Sequence, residues 1–78
     1  MFEAKIIINI DSDIDAEIIV ESIFPEIKKK IPNTEVDIYS IGNKIFLYIN
    51  SKNISSLRAA CNSYLRWIKT ANNVKNSI

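Results

Sequence analysis

The chain has 78 residues, 47% of them hydrophobic, and a formal net charge of +1. That length predicts one domain, residues 1–78, whose small core needs either close packing or a partner subunit. One cysteine and no histidine leave no internal disulfide and no structural zinc site, and the near-neutral charge gives no sign of a general polyanion binder.

Residues 2–10 alternate, with Phe2, Ala4, Ile6, Ile8 and Ile10 opposite Glu3, Lys5, Ile7 and Asn9. Period two predicts a half-buried strand. The same stretch has no basic lead-in and no small-residue cleavage site, so no signal peptide is expected. No apolar run is long enough to span a bilayer, and a lone cysteine fits a reducing compartment. A cytoplasmic protein with no membrane partner is therefore expected. "DSDID", residues 11–15, offers N-caps and acids that favour a helix N-terminus. The first helix is expected from about Ile14 to Phe24, ended or redirected by Pro25, which restricts the residue before it. Lys28, Lys29 and Lys30 then lie in a charged connection closed by Pro32-Asn33.

From Thr34 to Ser40 alternation returns, with Val36, Ile38 and Ser40 opposite Glu35, Asp37 and Tyr39. Gly42-Asn43 predicts a tight hairpin turn. The return strand from Lys44 to Asn50 sets Ile45, Leu47 and Ile49 against Phe46, Tyr48 and Asn50. Asn53 or Ser55 caps a second helix that reaches about Ala71 or beyond, and the polar tail from about 72 to 78 is expected to fray. The order is β-α-β-β-α. A right-handed crossover between the first two strands leaves space for the third between them. The predicted fold is α+β: a three-stranded antiparallel sheet in the order 1-3-2 with both helices on one face.

On a helical wheel the second helix presents Leu57, Ala60, Cys61, Tyr64, Leu65 and Ile68 as a core stripe, widened by Trp67, Ala71 and Val74. Arg58, Asn62 and Arg66 form an i, i+4, i+8 row on the other side, beside Ala59 and Ser63. Such a row is ordinarily a solvated polar face. Two details oppose that reading: Ala59 and Ser63 are small enough to let another helix approach, and Arg is the cation enriched at interfaces. The first helix buries Ala16, Ile19, Val20 and Ile23, which leaves Ile14, Ile18 and Ser22 on a second side. The outward sheet face carries Ile7, Tyr39, Phe46 and Tyr48, an exposed apolar patch of the kind that marks an interaction site. Self-association is the first expectation, either by packing of these faces or by pairing of edge strands into one continuous sheet, with the second strand as the candidate edge. A small RNA-binding module that stacks bases on these aromatics is the alternative, opposed by Glu3, Glu35 and Asp37 on the same face.

Chemistry is sparse. Gly42 is the only glycine, so no phosphate-cradling loop exists. Cys61 falls on the core stripe and reads as a packed thiol. "DSDID" lacks the glycine and distal Glu of a calcium loop. No catalytic residue, metal site or cofactor is expected.

The segment "LRAACNSYLRWI" also resembles the signature of the CTAG/Pcc family, the small dimerising subunits of the archaeal and eukaryotic KEOPS complex. Arg58, Ala59, Asn62, Ser63, Tyr64, Leu65 and Arg66 match that family's second helix. "DAEIIVESIFPEIK" is similar to its Ala-rich first helix ending in Pro-Glu, here Pro25-Glu26. Cys61 stands where a small apolar residue is the family's habit. The resemblance covers almost the whole chain and implies a non-catalytic scaffold subunit. KEOPS makes threonylcarbamoyladenosine next to the anticodon of tRNAs, with the chemistry on a separate ATP- and metal-binding subunit assisted by a kinase-like subunit. The resemblance implies a homodimer in which each protomer docks its two helices on one catalytic subunit and helps to hold tRNA. On this reading Arg58, Ala59, Asn62, Ser63, Arg66, Ile18 and Ser22 dock the catalytic subunit, and Ile7, Tyr39, Phe46 and Tyr48 form the dimer interface. The richness in Ile, Lys and Asn fits an archaeal source.

Overall fold

The computed structural model describes residues 1–28 and 33–76. Strand β1 (Phe2–Asn9), helix α1 (Asp13–Lys28), strand β2 (Thr34–Ile41), strand β3 (Lys44–Ser51) and helix α2 (Ile54–Asn76) follow in that order. The sheet is antiparallel with β3 in the middle, in the order β1-β3-β2. This is the α+β arrangement expected from strand alternation and crossover handedness.

Alternation sorts the strands into two faces. Ile38, Ile45, Leu47 and Ile49 point into the core, joined there by Ala16, Ile19 and Ile23 of α1 and by Leu57, Ala60, Tyr64 and Ile68 of α2. Register aligns them in rows: Ile6, Leu47 and Ile38 are cross-strand neighbours, as are Ala4, Ile49 and Val36. Both helices cover this face, so the opposite face of the sheet has no covering layer among the described residues.

The ends of the elements are chemically specified. The Ser12 hydroxyl accepts from the Asp15 amide at 3.1 Å, which makes Ser12 the N-cap of α1, with Asp13 and Asp15 in the first turn. Asn53 caps α2, its Oδ1 accepting from the Ser56 amide at 3.0 Å. At the hairpin, Gly42 adopts φ 59, a left-handed conformation that glycine takes without a Cβ penalty. Asn43 then ties the turn to the end of β1. Its side-chain amide donates to the Ile10 carbonyl at 2.9 Å, and its own carbonyl accepts from the Ile10 amide at 2.8 Å.

Two expectations need correction. Helix α1 does not end at Phe24 but continues through Pro25 to Lys28. A proline inside a helix removes the amide that would bond the carbonyl four residues back. Here that carbonyl belongs to Glu21, an exposed position, so the loss of that bond falls on the solvent side of the helix rather than in the core. Leu65 and Trp67 are also not core residues: they are 37% and 38% exposed. A sheet only three strands wide covers a narrow arc of α2, and Tyr64 occupies it. Trp67 sits at the border, its ring edge-on to Tyr64 at 5.2 Å and 77°. The polar stretch after Ala71 is helical as far as Asn76. The Lys28 and Val74 side chains, and Lys29, Lys30 and Pro32, lie outside the described residues.

One buried hydroxyl holds the far end of the sheet. Ser51 is fully buried. It donates to the Asn33 carbonyl at 3.1 Å and accepts from the Asn53 amide at 3.3 Å and the Thr34 hydroxyl at 3.3 Å. It thereby joins the entry to β2, where Asn33 takes φ 61, to the cap of α2. Ser51→Ala removes these three hydrogen bonds at a fully buried hydroxyl and is expected to cost about 1–3 kcal/mol. Urea denaturation would show this as a lower midpoint at unchanged slope; an unchanged midpoint would remove Ser51 from the framework.

Candidate interaction surfaces

The outward sheet face is built in rows by the same register that builds the core. Ile7, Phe46 and Tyr39 are cross-strand neighbours, and the next row is Lys5, Tyr48 and Asp37. The four residues expected at an interface, Ile7, Tyr39, Phe46 and Tyr48, are therefore contiguous. Ile7 is 61% and Tyr39 46% exposed, with Phe46 and Tyr48 half-buried. Tyr39 and Phe46 stack at 5.1 Å between ring centroids with 13° between planes. Tyr48 donates to Glu3 Oε1 at 2.8 Å and lies under the Lys5 ammonium, 5.7 Å from its ring centre. Together these side chains line a shallow concavity. Ile41, 64% exposed, extends the apolar surface at the hairpin. Continued alternation beyond Ser40 was the signal that could have found it.

The helical side carries the other set. Arg58, Ala59, Asn62 and Arg66 are exposed along α2, whereas Ser63 is half-buried rather than fully outward. On α1, Ile18 is 43% exposed. The exposed Ser22 hydroxyl donates to the Ile18 carbonyl at 2.8 Å, which uses its polarity within the helix and leaves a small, smooth surface. Ile14, 68% exposed, lies one turn before Ile18. Leu65 and Trp67 add apolar surface to α2 that the wheel had assigned to the core. The two sets occupy the two helices that share one face of the sheet, each on its own helix's solvent side.

Catalytic groups are few. Cys61 is half-buried, and burial pushes its thiol above the ordinary range, outweighing a backbone hydrogen bond that acts the other way. A raised value lowers the thiolate fraction at neutral pH, and the thiolate is the reactive form. Burial, and then the nearby Glu26 charge, push the Tyr64 phenol up. Among the described residues no three acidic or thiol side chains gather as metal ligands, and no helix is long and apolar enough to cross a membrane.

Comparison with known proteins gives the chain its relatives. Residues 3–76 match the family model "Transcription factor Pcc1". The chain is 35% identical over 75 residues to "KEOPS complex subunit Pcc1" of Pyrococcus abyssi (strain GE5 / Orsay), covering 95% of this chain and 92% of that protein. It also superposes on a chain from "Crystal structure of binary complex Gon7-Pcc1" with a TM-score of 0.87, at 21% identity over 97% of this chain and 94% of the other. That likeness establishes the fold.

Proposed function

The chain belongs to the Pcc1 family, and on that premise we propose that it is a non-catalytic, dimer-forming scaffold subunit of a cytoplasmic KEOPS complex. It pairs with a second copy through the outward sheet face. It docks α1 and α2 on helices of the catalytic ATP- and metal-binding subunit, so that two catalytic subunits are joined through one dimer. Its contribution to threonylcarbamoyladenosine formation on tRNA is assembly rather than chemistry, and it needs no cofactor. The kinase-like subunit and tRNA are reached indirectly, through the catalytic subunit.

The observation that supports this reading most is the placement of uncovered surface on opposite sides of one thin domain. The sheet side exposes the apolar row Ile7–Phe46–Tyr39. The helix side exposes Arg58, Ala59, Asn62 and Arg66 on α2 with Ile14 and Ile18 on α1. A monomer needs neither patch. RNA stacking on the sheet fits less well. Tyr39 and Phe46 already cover each other's rings, and Glu3, Glu35 and Asp37 on that face repel phosphate.

Arg66→Glu tests the docking side. Reversing an interfacial arginine is expected to weaken capture of the catalytic subunit at least about tenfold while leaving the dimer intact. A pull-down paired with light scattering reads both. Full capture by the variant would sink the docking assignment.

A further inference from the structure

The outward sheet face carries its charges in rows, and we propose that these rows fix how two copies meet: face to face with strands antiparallel, Lys44 of each copy lying over Asn50 of the other, between its Glu3 and Glu35. The inference rests on the sheet-face pairing proposed above and names the residues that orient it.

Register sets four outward rows in sequence: Asn9–Lys44–Ile41, Ile7–Phe46–Tyr39, Lys5–Tyr48–Asp37 and Glu3–Asn50–Glu35. One end of the face is therefore basic and the other acidic, and the middle holds the aromatics, with Lys5 and Asp37 of opposite sign flanking Tyr48. Successive rows are two residues, about 7 Å, apart. Two identical sheets stacked about 10 Å apart and related by a two-fold axis have that axis in the plane between them. For sheets packed with their strands aligned, it runs close to the strand direction or across it.

An axis along the strands sets every row over itself. Glu3 of each copy then faces Glu35 of the other, and the two Lys44 ammoniums face each other. Its one attraction is Lys5 over Asp37. That attraction is weakened because Lys5 already lies against its own Tyr48 ring. An axis across the strands reverses the row order. Each Lys44 row then meets a Glu3–Asn50–Glu35 row, and each Phe46 row meets a Tyr48 row. Both ends carry opposite signs and the aromatics close the middle. Glu3 is held in place for this by the Tyr48 hydroxyl at 2.8 Å. Like-charge juxtaposition at an interface costs several kcal/mol, so the charge pattern selects the crosswise axis.

The test is a charge-reversal series on the full chain, with the dimer dissociation constant measured by sedimentation equilibrium at low and high salt. Lys44→Glu places like charge against the acidic row and is expected to raise the constant about tenfold or more at low salt, less at high salt. The triple change Glu3→Lys, Glu35→Lys and Lys44→Glu restores opposite signs and is expected to return to within about threefold of the parent. All three positions are exposed, and circular dichroism confirms that each variant is folded. An axis along the strands predicts no change for Lys44→Glu, because Lys facing Lys becomes Glu facing Glu. That result, or a triple variant no tighter than Lys44→Glu, overturns the orientation. A parent chain that stays monomeric, or a Phe46→Glu variant that pairs like the parent, overturns the sheet-face pairing itself. Phe46→Glu monomers beside an indifferent Lys44→Glu overturn the orientation alone.

Discussion

Replacing Phe46 by Glu is expected to leave the chain folded and to make it monomeric. Phe46 lies at the centre of the outward face, between Ile7 and Tyr39 on the flanking strands, and its ring stacks on Tyr39. A central aromatic surrounded by other apolar groups is where binding energy concentrates. A carboxylate there must be desolvated without a partner if a second sheet is to approach. The expected loss is a rise in the dimer dissociation constant of about a hundredfold or more. The core should not notice, because Phe46 points away from Ile45 and Leu47 along the same strand. Multi-angle light scattering checks the mass, and a variant that remains dimeric would remove the sheet face as the pairing surface.

Tyr64→Ala should act in the opposite way, on the fold and not on one surface. Tyr64 is among the largest fully buried side chains, 1% exposed, in the stripe by which α2 meets the core. Truncating a buried aromatic costs about 3–5 kcal/mol, a large share of the 5–15 kcal/mol that holds a typical domain together. The urea midpoint should fall accordingly; a loss under about 1 kcal/mol would mean that the site collapses around the smaller side chain. The phenol adds a pH signature. Its value is raised in the folded state, first by burial and then by Glu26, so the neutral form is preferred on folding. That contribution is complete below the ordinary tyrosine value and is lost as pH rises through the higher folded one.

Much of this was legible in the sequence because it depends on period and handedness. The strands alternate cleanly, so Ile45, Leu47 and Ile49 separate from Phe46 and Tyr48 without further information. The sheet order follows from a crossover rule that ignores side chains. What was not legible depends on widths and ends. A wheel gives the direction of Leu65 and Trp67 but not the breadth of the sheet that must cover them, and three strands do not reach. Pro25 reads as a stop because its cost is local and visible, whereas the placement of the lost bond at the exposed Glu21 position is not. The Ser51 junction joins four residues of which only Asn33 and Asn53 look like turn or cap formers. Periodicity could separate the outward residues of α2 from its core stripe. It could not say what they touch; the docking proposed for them rests on the likeness of "LRAACNSYLRWI" to the Pcc family.

The Gly42–Asn43 hairpin has a further meaning for how the chain finds its fold. A slip of one residue between two strands turns every side chain to the opposite face. In most half-buried sheets such a slip is punished at once, because it drives polar groups into the core. Here the middle of both faces is apolar: Ile6, Leu47 and Ile38 on one side, Ile7, Phe46 and Tyr39 on the other. In that middle, hydrophobicity discriminates weakly between the true pairing and its nearest error, and the penalty for a slip falls on Glu3, Lys5, Glu35 and Asp37, which it would turn toward the core. The turn adds to the choice: the left-handed Gly42 and the two bonds from Asn43 to Ile10 favour the observed alignment of β1 and β3. The charges at the ends of the outward face thus guard the register as well as the solubility of that surface.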